Sequence, residues 1–159
     1  MKTRELVLTA IFIAFSLIIP LFFPKLVIPP FSATVASHVP VMLAVFLSPL
    51  SAIMVGLGST IGFLLILGPV IAARAATHIV FGGLGAVLFR RGVKPWQALL
   101  AMLPVHALLE SLIVLPFGFS LYEGFIVVGI GTALHHLIDM AITLILLRPL
   151  ANSMGIKSR

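Results

Sequence analysis

Residues 36–67 read ASHVPVMLAVFLSPLSAIMVGLGSTIGFLLIL, a run in which only His38 can ionise. At 1.5 Å rise per residue it is too long for one membrane crossing and short for two. Pro49, within Phe46-Leu-Ser-Pro-Leu50, is the natural break, because the residue before a proline is pushed out of the helical region. Charge settles whether the break is used. Lys2 and Arg4 precede the first apolar run, and Arg90, Arg91 and Lys94 follow the span that ends at Phe89. Basic loops stay on the cytoplasmic side. The number of spans between these two groups must then be even, and a split at Pro49 gives four. Arg148, Lys157 and Arg159 place the C-terminus on the same side.

Outward from that stretch, the first apolar run is Leu6 to Phe23, after Met1-Lys-Thr-Arg-Glu5 and ended by Pro20 and Pro24. A basic start before an apolar run also fits a signal peptide. No small-residue cleavage site follows and the chain stays apolar, so a retained span is expected. Residues 24–35 (PKLVIPPFSATV) form a Pro-rich loop, apolar enough to pack on the bundle. Gly68-Pro69 is a turn, Pro95 opens a helix at its favoured first position, residues 118–124 form a loop, and Arg148-Pro149 closes the last span. The expected helices are about 5–23, 36–48, 50–67, 70–90, 95–117 and 124–148. The fold class is an all-α integral membrane protein. It is a single membrane domain over 1–159, a six-transmembrane-helix bundle with both termini cytoplasmic.

Composition agrees. The 159 residues are 61% hydrophobic and 9% charged, with mean hydropathy +1.28; soluble domains average about 45–50% apolar and about 25% charged residues. A soluble enzyme, a disordered chain and a nucleic-acid-binding module are excluded. The net charge of +6 sits mainly at the ends of apolar runs and forms no stripe on a soluble face. With no cysteine, disulfides and thiolate chemistry are absent.

Ionisable groups inside spans mark functional sites by default. Here they are His38, Arg74, His78, His106, Glu110, His135, His136 and Asp139. Arg74 and His78 are four apart, as are His106 and Glu110 and also His135 and Asp139, while His136 lies three before Asp139. Each of the last three spans thus has one polar stripe. Taking about 5.4 Å per turn, Arg74 is about one turn and His78 about two turns below the outer end of the fourth helix, so the site opens outward. Two readings stand for the His–acid pairs: interhelical glue, or a binding site. Arg74 has no acid three or four positions away on its own helix. It either snorkels outward or offers its planar fork to an anionic ligand. The HxxxE and HHxxD spacings invite a metal reading, as in a nickel or cobalt permease. No helix carries HExxH, and Arg74 opposes a cation, so no residue is assigned as a metal ligand. No nucleophile sits on a recognisable elbow, which weighs against a membrane enzyme. No GxxxxGK[ST] segment is present, so ATP hydrolysis through that motif is excluded. Small residues recur as well: Gly58 with Gly62, and Gly82, Gly83, Gly85 and Ala86, read as internal packing. Ala10 and Ala14 read as a face for another subunit.

The segments Ala36-Ser-His-Val-Pro-Val-Met-Leu-Ala44, Phe46-Leu-Ser-Pro49, Gly56-Leu-Gly-Ser-Thr-Ile-Gly-Phe63 and Arg74-Ala-Ala-Thr-His78, with Ala10-xxx-Ala14, resemble the substrate-binding S-components of energy-coupling factor vitamin transporters, most closely the niacin-specific type. The resemblance covers nearly the whole chain. It implies a non-catalytic subunit of the bacterial plasma membrane, without a cofactor, that binds a vitamin from outside. It also implies docking onto a transmembrane coupling protein and two cytoplasmic ATPases, with Ala10 and Ala14 at the coupling protein. The vitamin site would lie in the outer half, formed by helices four to six and outer loops. On the nicotinate reading Arg74 takes the carboxylate, and His78, Glu110, His135, His136 and His38 serve the ring nitrogen or surround the ligand. Whether His135 or His136 faces the pocket stays open, since neighbours on a helix point about 100° apart. Pantothenate or another carboxylate vitamin is the alternative ligand.

Overall fold

The computed structural model describes residues 1–29 and 31–156; the orientation signals at Lys157 and Arg159 lie outside them. The chain forms α1 (Thr3–Phe22), a hairpin of β1 (Lys25–Ile28) and β2 (Phe31–Thr34), α2 (Val39–Val45), α3 (Pro49–Ile66), α4 (Pro69–Arg90), α5 (Pro95–Ile113) and α6 (Ile130–Met154). A 3-10 turn (Leu115–Phe117) follows α5, and a π-helical stretch (Glu123–Gly129) leads into α6. Five of these helical segments are long and apolar enough to cross a membrane: α1, α3, α4, α5 with its 3-10 turn, and α6 with its π-helical start.

The exception is α2. The chain does break at Pro49, where Ser48 caps α3 by accepting from the Ser51 N–H at 3.0 Å. The helix expected over 36–48 is nevertheless only seven residues long, about 10 Å at the α-helical rise, and cannot cross alone. Every residue of it is buried. Its side chains supply much of the core, with Met42 and Val45 packed among Phe12, Val55, Phe81 and Leu99. The second helix is therefore a short inner plug; because Ser48, just past its end, meets Glu5 at the start of α1, hairpin and plug together still bring the chain back to the end of the bundle where α1 begins.

Two further differences have physical causes. The Pro-rich loop is an antiparallel hairpin, pairing Lys25 with Thr34 and Ile28 with Phe31. Val27, Ile28 and Thr34 favour the extended backbone, and Pro29 favours the turn. It does pack on the bundle, through buried Phe31 and Thr34, while β1 is exposed. A Cβ at Gly131 would stand 2.9 Å from the Phe31 ring, so this glycine leaves the recess that receives the hairpin's anchor. The last helix runs through Pro149 to Met154. Proline lacks one N–H but can be carried in a helix whose end is otherwise held. Here the Arg4 side chain donates to the carbonyls of Ser153 and Asn152, both at 2.7 Å. This capping of the last turn also puts the two ends of the described chain side by side. Close by, Glu5 accepts from Ser48 and Ser51, tying α1 to the α2–α3 junction.

Small residues set the helix spacing. A Cβ at Gly56 would lie 2.7 Å from the backbone nitrogen of Ile79, so only glycine lets α3 and α4 touch along their main chains beside His78. Gly58 and Gly62 face Ile13 and Leu17 of α1. Ala10 and Ala14 lie on the opposite, exposed side of α1, flanked by exposed Val7, Ile11 and Ile18.

Candidate functional site

The polar stripes of α4, α5 and α6 meet beneath the hairpin. Glu110 of α5 is the first node and is 2% exposed. Its Oε2 accepts from Arg74 Nε at 2.9 Å, Arg74 Nη2 at 2.7 Å and Thr132 Oγ1 at 2.6 Å. Arg74 also donates through Nη1 to the Ser32 carbonyl at 3.2 Å, and its guanidinium carbon lies 5.3 Å from the Phe31 ring centroid. The acid missing from Arg74's own helix thus arrives from α5, and Arg74 is buried rather than snorkelling. The other oxygen, Oε1, lies 3.3 Å from His106 Nε2, which makes no hydrogen bond.

Asp139 of α6 is the second node and is fully buried. It accepts from the backbone N–H of Ala36 at 2.8 Å and of His38 at 2.9 Å. His135 Nε2 is 3.1 Å from Oδ2 and 2.9 Å from the Thr34 carbonyl, so this nitrogen carries the proton shared between two acceptors. His38 Nδ1 lies 3.2 Å from Oδ2 but makes no hydrogen bond to it. Asp139 therefore fastens the turn before α2 to α6. Ala36 sits there at φ 68°, a left-handed conformation held in place by that bond.

The four histidines His38, His78, His106 and His135 crowd between the nodes. Ring centroids of His38 lie 4.8 Å from His78, 4.7 Å from His106 and 4.4 Å from His135. His136 points elsewhere. Its Nδ1 meets His106 Nδ1 at 3.0 Å and its Nε2 meets the Leu99 carbonyl at 3.1 Å, behind the site.

A cavity of about 160 Å³ opens beside this cluster. Of the residues singled out from sequence, Arg74, His38, His78, Glu110 and His135 line it, and His136 does not. Sequence reasoning missed Lys25, Ser32, Thr34, Ser16 and Ser59, which also line it. Lys25 was legible only as the lone cation of an outer loop; strand pairing is what turns the hairpin over the cavity. The exposed Trp96 opens α5, and the polar stripe of that helix begins ten residues later at His106.

Five membrane-capable helices around a small, charged, histidine-rich cavity define a multi-pass membrane protein with a polar recess among its helices. No family model matches the chain, and no solved structure matches it. The niacin transporter NiaX of Lactococcus lactis subsp. cremoris is 33% identical over 163 aligned positions, which cover 90% of this chain and 72% of that protein. The chain belongs to the S-component family of energy-coupling factor vitamin transporters, and it is a multi-pass protein of the bacterial cell membrane.

Proposed function

We propose that this S-component captures nicotinate from outside the cell and delivers it for uptake driven by ATP hydrolysis in partner subunits. The observation that carries the reading is the size of the cavity together with its lining. A cavity of about 150 Å³ accommodates one benzene ring, and this one measures about 160 Å³ with Arg74, Lys25 and three histidines around it. Nicotinate is one flat ring with one carboxylate. The kinship to a niacin transporter supports the same ligand. Arg74 spends three of its five N–H donors on Glu110 and Ser32, which leaves two for a ligand carboxylate. Lys25 adds a second cation at the hairpin. The imidazole N–H of His78, which makes no hydrogen bond among the described residues, can donate to the pyridine nitrogen, with Glu110, His38 and His135 surrounding the ligand.

Orientation follows from charge. Lys2 and Arg4, together with the Arg90–Lys94 turn and Arg148, place both termini in the cytoplasm by the basic-loop rule, so that the cavity faces outward beneath the hairpin. The exposed Ala10 and Ala14 form the close-approach surface for the transmembrane coupling protein, and two cytoplasmic ATPases supply the energy.

The test is calorimetric titration of purified, ligand-stripped protein with nicotinate, nicotinamide and pantothenate. Tight binding of nicotinate and weaker binding of nicotinamide is expected. Preference for pantothenate would overturn the specificity. Nicotinate uptake in vesicles lacking the partner subunits would overturn the dependence on ATPases.

A further inference from the structure

The hydrogen-bond chain behind the cavity leaves an electron pair facing a carboxylate. The Leu99 carbonyl only accepts, so His136 Nε2, 3.1 Å away, carries a proton. In a neutral ring His136 Nδ1 is then the acceptor. The contact of 3.0 Å to His106 Nδ1 requires the proton to sit on His106 Nδ1. This leaves His106 Nε2 as a bare lone pair, fully buried, without a hydrogen bond and 3.3 Å from Glu110 Oε1. Two electron-rich atoms in that position call for a cation between or beside them.

Further donors converge there. His38, His78, His106 and Glu110 each offer an atom such that all four lie within 4.8 Å of one another, and all four residues are buried. Around a tetrahedral Zn²⁺, with bonds of about 2.0–2.2 Å, ligand atoms stand about 3.4 Å apart, so small side-chain movements close the set. The four come from the turn before α2, from α4 and from α5, which is why no single-helix motif announces them. Charge agrees. One guanidinium, Arg74, is buried with two carboxylates, Glu110 and Asp139, so with neutral imidazoles the buried cluster carries one uncompensated negative charge. The relay from Leu99 through His136 to His106 is also the kind of outer support that fixes a ligating imidazole's tautomer.

We propose that His38, His78, His106 and Glu110 form a binding site for one divalent transition-metal ion of the Zn²⁺ type at the inner wall of the cavity. Three imidazoles and a carboxylate suit Zn²⁺, Co²⁺ or Ni²⁺. The ion would turn the net charge of the cluster positive. In that respect the proposal deepens the nicotinate reading, because an anion would enter a site no longer negative.

Zn²⁺ binding to chelator-stripped protein, measured by competition with a chromophoric chelator and without any vitamin, tests it directly. One ion per chain is expected, and Co²⁺ in its place should give the intense visible absorption of a four-coordinate, nitrogen-rich site. His78→Ala, which removes a side chain with no hydrogen bond among the described residues, and His106→Ala should each abolish the Co²⁺ spectrum. His136→Phe should weaken the metal by about 10–100-fold, whereas His136→Gln, which can still accept and donate, should restore it. Failure of the folded wild-type protein to bind Zn²⁺ or Co²⁺ overturns the site. Zn²⁺ binding unchanged in His78→Ala overturns it too, whatever the fate of His106→Ala, because the His78 side chain makes no hydrogen bond whose loss would unfold the protein. Nicotinate titrated with and without chelator separates the two readings. Equal nicotinate binding by protein that takes up no metal sinks the metal site alone; metal binding without nicotinate binding sinks the vitamin reading alone.

Discussion

Glu110 and Asp139 are a matched pair. Each lies four residues after a histidine on its own helix, each is at most 2% exposed, and each lies within 3.3 Å of that histidine. Their partners differ. Asp139 holds main chain: two backbone N–H groups of the turn before α2. Glu110 holds only side chains, those of Arg74 and Thr132, and leaves one oxygen against an imidazole nitrogen that makes no hydrogen bond. A carboxylate on backbone N–H groups is architecture, since the chain cannot substitute those donors. A carboxylate on side chains in a cavity wall can exchange its partners for a ligand. Equal spacing and equal burial thus conceal unequal roles.

Replacement by apolar residues should break the pair most clearly. In Asp139→Leu the N–H groups of Ala36 and His38 lose their acceptor, and each orphaned donor costs about 1–3 kcal/mol. We expect a loss of several kcal/mol or a failure to fold, read as a large drop in thermal stability in detergent. The double variant Arg74→Met with Glu110→Leu removes a buried ion pair completely, a change that is often neutral or stabilising. It should keep thermal stability near wild type while weakening nicotinate by roughly 10–100-fold, as for the loss of charge-assisted hydrogen bonds worth about 1.5–3 kcal/mol. A double variant that unfolds as readily as Asp139→Leu would erase the distinction.

Spacing made the helical stripes legible, and it alone places Arg74 with His78, His106 with Glu110, and His135 with Asp139 on shared faces. It did not reveal who meets whom. Arg74 read as lacking an acid because sequence reports only partners within a helix, and Glu110 reaches it from α5. His135 and His136 could not be separated, because facing the cavity or facing Leu99 depends on the rotation of α6. Mean hydropathy also hid the shortness of α2: a buried plug and a spanning helix are equally apolar. Lys25 was visible as a charge but not as a cavity residue, since a Pro-rich segment does not declare its strand pairing.

Lys25 sharpens the comparison from the cavity side. It is exposed and makes no ion pair among the described residues, yet it lines the cavity. Lys25→Ala should leave stability unchanged and slow nicotinate association, with a deficit that shrinks as salt rises, because exposed charges act mainly through screened steering. Stopped-flow association rates at low and high ionic strength measure this. A deficit that does not depend on salt would place Lys25 in direct contact with bound ligand.

The smallest expected effect tests whether the architectural node also serves the site. Ala36 holds φ 68° while its N–H bonds to Asp139 at 2.8 Å. The left-handed conformation costs a residue with a Cβ about 1–2 kcal/mol, and glycine escapes that cost while giving back part of it as chain entropy. Ala36→Gly should therefore stabilise the protein by about 1 kcal/mol, seen as a rise of about 2–4 °C in melting temperature. The same substitution loosens the segment that presents His38, whose backbone N–H is the second donor to Asp139 and whose ring lines the cavity. If Asp139 is architecture alone, nicotinate affinity stays at its wild-type value while stability rises. If affinity falls as stability rises, the strain at Ala36 is what holds His38 in its binding position, and the two acids belong to one device.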